Sequence, residues 1–248
     1  AAKVTAPWAV AVGPDGSLYI AEPETGRIRR VGPDGNITTV AGGRGPCLDN
    51  VCGDGGLATA AANLVAYDIA VAPDGNLFAA ESGRHRIRRI GPDGIITTVA
   101  GNGIPGFSGD GDLATAASLY FPGGIAVAPD GSLYIADTSN NRIRRVGPDG
   151  IITTVAGNGN ANQSGTFVGG GTFCYCLPNN GDRDWATEAT VVSPTGVALG
   201  PDGGFYIAES QRARIRHVSP KGLITTIAGS GITDPRVGVG STGIWAGP

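Results

Sequence analysis

Apolar and polar residues alternate in short runs along most of the chain, and the runs are bracketed by one recurring turn. Between Gly124 and Gly157 the order is "GIAVA", "LYIAD", "RIRRV" and "IITTVAG". Pro-Asp-Gly fills the first and third gaps and a polar turn fills the second. Alternation with period two, in runs rich in β-branched and aromatic residues, predicts strands. Proline presets φ at the second turn position and glycine supplies the positive φ that follows, so the same tripeptide closes two hairpins. The stretch is predicted to be a four-stranded antiparallel meander.

The pattern occurs four times, over residues 7–42, 66–101, 122–157 and 194–229, each unit 36 residues long. The first turn proline falls at Pro14, Pro73, Pro129 and Pro201, with spacings of 59, 56 and 72, and the second follows 19 residues later each time. Rigid units therefore alternate with connectors of variable length. A lone meander leaves apolar faces wet, so neighbouring units must stack, and four-stranded units arranged radially are the blades of a β-propeller. The expectation is an all-β fold in a single domain over 1–248, with 230–248 as a C-terminal tail.

"GIAVAPDGSLYIADTSNNRIRRVGPDGIITTVAGNG", with "GFSGDGDLATAASLYFP" in the connector before it, resembles the NHL repeat in the long-connector form of teneurins and bacterial YD-repeat (Rhs-type) surface proteins. The resemblance covers nearly the whole chain. It implies a propeller, usually of about six blades, used outside the cell for protein or carbohydrate contacts rather than for one shared chemistry. Only four units are visible here and there is no YD repeat. Ring closure is then expected to rest on packing of the first blade against the fourth, with the apolar tail residues Ile232, Val237, Val239, Ile244 and Trp245 as a clasp or an interface.

Composition narrows the class. The 248 residues include 43 Gly and 17 Pro, as many tight turns require, and 41% are hydrophobic, enough to fill a core. No apolar run approaches the ~18 residues of a membrane span, so membrane insertion is not expected. A start at Ala1-Ala2-Lys3 and the lack of methionine read as a processed product, which favours an extracellular or cell-surface location. Cys47, Cys52, Cys174 and Cys176 lie in two connectors and read as disulfides of an oxidising compartment. Cys47 and Cys52 can join across a tight loop, whereas Cys174 and Cys176 would form a strained ring with each other, so the second pairing stays open. A net charge of -3 gives no global attraction to nucleic acid.

The arginine cluster "RIRR" is the strongest local charge feature, and each copy carries its own acid at the end of the preceding strand. Glu22 with Arg27, Glu81 with Arg86, Asp137 with Arg142 and Glu209 with Arg214 are predicted to be structural cross-strand ion pairs. In "R-I-R" the isoleucine is expected to point inward between two solvent-directed arginines.

Asp110 and Asp112 in "SGDGDLAT", echoed by Asp54 and by Asp182 and Asp184, could present carboxylates to a structural calcium, although the spacing is not that of an EF-hand. Asp-Gly pairs more often make turns. The two histidines, His85 and His217, occupy different template positions and cannot supply the three that metal-dependent lyases of this propeller type use, and no nucleophile elbow is present. Asn36 and Asn162 begin glycosylation sequons. Phe167, Phe173, Tyr175 and Trp185, in or beside the longest connector, and Ile244 and Trp245 in the tail are the contact candidates, with packing of that loop on the fourth blade as their structural reading. The functional expectation is a secreted, non-catalytic module for protein interaction or assembly, with proteins, copies of itself included, as partners and no cofactor beyond a structural calcium. The rivals are a subunit of an extracellular filament or surface layer and a lyase or lactonase working at the channel mouth.

Overall fold

The computed structural model describes residues 3–43, 53–160, 166–168, 172–174 and 181–229. Each repeat forms one four-stranded antiparallel sheet in sequence order. Blade one consists of β1 (Ala9–Val12), β2 (Leu18–Glu22), β3 (Arg27–Val31) and β4 (Ile37–Ala41), and blade two of β5 (Asp68–Val71), β6 (Leu77–Glu81), β7 (Arg86–Ile90) and β8 (Ile96–Ala100). Blade three consists of β9 (Pro122–Val127), β10 (Leu133–Asp137), β11 (Arg142–Val146) and β12 (Ile152–Ala156). A separate hairpin, β13 (Thr166–Val168) with β14 (Thr172–Cys174), lies in the long connector, where no strand was expected. Blade four consists of β15 (Pro194–Leu199), β16 (Phe205–Glu209), β17 (Arg214–Val218) and β18 (Ile224–Ala228).

The turn chemistry works as its residues dictate. In blade one the Asp15 Oδ1 atom accepts the Ser17 N–H at 3.0 Å, and Gly13 N–H donates to the Ser17 carbonyl at 2.8 Å, while Gly16 takes a φ of 78°. Asp34 repeats the arrangement with Asn36 N–H at 3.1 Å. Where the fourth repeat reads Ser-Pro-Lys-Gly, the Ser219 hydroxyl replaces the missing carboxylate and accepts Leu223 N–H at 3.2 Å. All four blades share a register shift between the isoleucine and the second arginine of "RIR", a bulge opposite the last strand.

The core lies between blades, because each blade is a single sheet. Ala21, Ile28 and Ala41 of blade one meet Ile69, Leu77, Ala79 and Ile96 of blade two, and two equivalent clusters join blades two to three and three to four. The connector is the mortar. Ala58, Ala114 and Ala186 each donate a backbone N–H to the glycine of the next blade's second turn, and each accepts one from the glycine that ends the previous blade, at 2.8 to 2.9 Å.

The inner strands β1, β5, β9 and β15 lie side by side in that order, but β1 does not pack against β15 as successive blades pack. The expected contact of blade one with blade four is therefore corrected: the described residues form an arc with two uncovered sheet faces. The reason is visible at the ends, where Val10 and Val12 on one face and Ile227 and Ala228 on the other are exposed. The tail at 230–248, proposed from sequence as a clasp, lies outside the described residues.

Candidate functional site: an acidic, aromatic mouth

Where the inner strands begin, residues from all four blades enclose a cavity of about 660 Å³. Two successive template positions build its wall. The first places Trp8, Tyr67, Gly123 and Thr195 in it and the second Ala9, Asp68 and Gly196, while Gly124, at the second position of blade three, lies outside the lining. Small residues are obligatory where β9 and β15 meet: a Cβ on Gly124 would lie 2.8 Å from the Gly196 Cα. Blades one and two do not approach so closely, and there the same positions carry side chains.

Those side chains are aromatic and poorly covered. Trp8 is 68% exposed and meets Tyr67 edge-on, with ring centroids 5.6 Å apart. Across the mouth, Phe121 lies between Tyr120, at 5.4 Å, and His85, at 4.9 Å. Phe121 adopts a φ of 48°, a strained left-handed conformation for a bulky residue. Its N–H donates to His85 Nδ1 at 3.2 Å, just as Ser193 N–H donates to Asn141 Oδ1 at 2.9 Å one blade on. His85 is thus a strut between blades, and burial lowers its pKa and favours the neutral ring that this acceptor role needs.

Among the described residues Asp68 is the one charged residue of the cavity lining, and none of them there is Lys, Arg or His. One carboxylate oxygen accepts Ile69 N–H at 2.9 Å and the other accepts Ile125 N–H of the next blade at 2.8 Å. Burial raises its pKa, and the two backbone N–H groups only partly offset that. On the far side of Trp8 and Tyr67 a second cleft, of about 460 Å³, contains Glu24 and again no basic residue. Two of the hydroxyls at the mouth are engaged: Ser82 Oγ donates to the Pro122 carbonyl at 2.5 Å and Thr138 Oγ1 to the Pro194 carbonyl at 2.7 Å.

Comparison with known proteins agrees with the architecture. The family model of the Teneurin NHL domain matches residues 105–168. Teneurin-m of Drosophila melanogaster is 32% identical over 251 residues, covering 93% of this chain and 9% of that protein. These are NHL repeats. Among solved structures, an auxiliary nutrient binding protein from Bacteroides ovatus superposes with a TM-score of 0.59 at 20% identity, over 90% of this chain and 48% of that one. Virginiamycin B lyase from Staphylococcus aureus superposes with a TM-score of 0.53 at 22% identity, over 89% and 55%. At such identities these two likenesses concern the fold, an all-β propeller. This NHL-repeat chain spans about a tenth of the curated teneurin and about half of the solved propellers.

The arginines of the NHL template prove to have three separate partners. Each acid stands directly opposite the first arginine in register, as expected. The ion pair itself forms in blades two and four, Arg86–Glu81 at 2.9 Å and Arg214–Glu209 at 2.8 Å. In blade three Arg142 instead donates to the carbonyls of Asn140 and Asn158 and stacks 3.7 Å above the Phe107 ring, and in blade one Glu22 faces Arg29 at 4.0 Å, not Arg27. The second arginine corrects the expectation of a solvent-directed side chain: Arg88, Arg144 and Arg216 are completely buried. Each links its own blade's acid to a connector aspartate, Asp54 at 2.5 Å, Asp110 at 2.8 Å and Asp182 at 2.8 Å. The third arginine turns back to the first hairpin, as in Arg30–Asp15 at 2.7 Å.

Three of the five calcium candidates are therefore counter-charges for buried guanidinium groups, a donor set unsuited to a dication, while Asp112 and Asp184 are exposed in turns. Among the described residues no group of three or more His, Cys, Asp or Glu is placed to hold a metal ion. His217 sits in blade four with Nε2 3.1 Å from Asp202, whereas His85 precedes β7 of blade two. Trp185 is exposed and lies across Gly222 of blade four, pairing with Leu223, which is the packing on that blade that the sequence offered as its structural reading. Asn36 is exposed, its amide donating to Asp34. Phe167 and Phe173 fall in the connector hairpin, whose side chains lie outside the described residues together with Cys47, Cys52, Asn162, Cys174, Tyr175, Cys176, Ile244 and Trp245. The mouth residues Trp8, Tyr67, Asp68 and Phe121 were missed, although for the first three a signal existed: blades three and four hold only Gly123, Thr195, Gly124 and Gly196 at the same template positions.

Proposed function

We propose that this NHL-repeat chain is a non-catalytic protein-interaction module acting outside the cell or at its surface, with the mouth as its principal contact. The observation that carries the reading is the exposed aromatic rim around a cavity in which the Ser82 and Thr138 hydroxyls already donate to backbone carbonyls. Exposed aromatic residues around a concave site favour recognition, and a serine or threonine held by a carbonyl, with no base beside it, is not prepared for attack. Similarity to the Teneurin NHL domain supports the interaction role. Cysteine-bearing connectors and the sequons at Asn36 and Asn162 support the compartment.

The test is a photo-reactive phenylalanine analogue at position 8, irradiated on intact cells. Discrete protein adducts that vanish when the probe is moved to the exposed position 36, in a turn of the same blade, are expected. The reading falls if both positions give the same adducts or none. A second reading, assembly of copies, is favoured by the two open blade faces: the free face of blade four is built like those that receive a neighbour at the three closed junctions, and blade one offers the matching partner. Light scattering over a range of concentrations decides it, since a constant monomer mass removes assembly.

A further inference from the structure

The geometry points to an organic cation, an arginine or lysine side chain presented by a partner protein, as the group that enters the mouth between Trp8, Tyr67 and Phe121 to meet the Asp68 carboxylate. This rests on the interaction reading and makes it chemically specific. Asp68 is the departure that motivates it, because Ala9, Gly124 and Gly196 fill its position in the other repeats. The buried carboxylates of this protein, Glu22, Glu81, Asp137 and Glu209, all face a guanidinium. Asp68, half-buried, has two backbone N–H donors and, among the described residues, no cation. A carboxylate has about four acceptor sites, so these two donors leave roughly half of its capacity unused in a residue that lines the cavity.

The surroundings complete the case. A cation is attracted to the face of an aromatic ring within about 6 Å, most strongly for tryptophan, and Trp8 and Tyr67 stand beside Asp68 on the cavity wall. His85, which touches Phe121, is biased to its neutral form and adds no competing charge. Glu24 extends the acidic character to the adjoining cleft. The volume of about 660 Å³ falls in the range of small-ligand pockets and accommodates a long basic side chain. Because burial raises the Asp68 pKa, a bound cation favours its ionised form, and affinity should rise as pH rises through that pKa.

The probe is tetramethylammonium chloride, titrated against the intact chain while the Trp8 indole resonance is followed by NMR, with sodium chloride at equal ionic strength and neutral neopentyl alcohol as controls. A saturating shift is expected for tetramethylammonium, at least about tenfold weaker for the neutral isostere, and weakened about tenfold by Asp68→Asn. Trp8→Leu, at an exposed position that leaves folding intact, should lose most of the affinity, read through the Tyr67 ring resonances. Equal binding of the neutral isostere, or undiminished binding by Asp68→Asn or Trp8→Leu, overturns the assignment, as does no saturable shift at all. If position 8 cross-links proteins on cells but excess tetramethylammonium does not compete, the cation falls and the interaction reading stands. If tetramethylammonium binds but no proteins cross-link, the reverse holds.

Discussion

Leu133 and Leu18 occupy the same place in their repeats, yet Leu133 is 4% exposed and Leu18 is 41%. The first lies on a blade face covered by a preceding blade and connector, the second on a face that nothing described covers. Ile125 and Val10 differ in the same way, at 5% and 65%. At the other end Ala156 is buried and its counterpart Ala228 is exposed. Equal sequence thus meets unequal surroundings within one chain, and the difference shows that burial belongs to the junction between repeats, not to the repeat. Stability in such an array is largely a sum of junction terms.

The comparison can be broken most severely through charge. Arg144→Ala removes the guanidinium from Asp137 and Asp110 inside a covered junction, and a loss of about 4 kcal/mol is expected from urea unfolding, as for other broken buried pairs. Arg29→Ala, the equivalent change in blade one, leaves the buried Glu22 with the Thr5 N–H and the Thr25 hydroxyl and has no connector aspartate to lose, so it should cost about 2 kcal/mol. Equal losses would show that the connector aspartate contributes nothing. Next, Ile143→Ala opens a cavity between blades three and four and should cost about 3 kcal/mol, whereas Ile215→Ala on the uncovered face of blade four should cost about 1 kcal/mol. A reversed order would mean that the open face is covered in solution.

Acidity separates the same regions more finely. Burial pushes Asp137 up to about 6, against the opposing pull of Asn140, the Tyr120 N–H and the Arg144 guanidinium. A free aspartate titrates near 3.9, so the folded protein holds this proton more tightly than the unfolded chain. The stability due to this group is complete below about pH 4 and is lost as pH rises through about 6. Between these limits the wild type should lose about 2 kcal/mol relative to Asp137→Asn, and parallel stability curves for the two proteins would refute the shift. The smallest effect concerns the connector: Asp110→Asn weakens one partly exposed pair and should cost about 1 kcal/mol. Asp112→Asn, in an exposed turn, should stay within about 0.5 kcal/mol.

The blades were readable because their signals are local. Pro-Asp-Gly places the turns, alternation places the strands, and the acid and first arginine fall opposite each other once the hairpin register is set. The burial of Arg144 was not readable in the same way. Alternation tells which side of the sheet the side chain takes, but whether that side is wet depends on Asp110, 34 residues earlier in a connector whose path alternation does not encode. Searching the most individual connector for contacts directed attention to Phe167 and Phe173 and away from Trp8 and Asp68, which look ordinary in their own repeats.

By itself the sequence determined the repeat, the four strands of each unit, the turn types and the cross-strand register, because all of these follow from interactions among residues close along the chain. Tertiary structure decided which faces are covered, which arginines are buried and where a mouth exists. Trp8, Asp68, Gly123 and Thr195 come from four different repeats and meet only when the blades stack, and the free energy of each buried group depends on what lies across the junction from it.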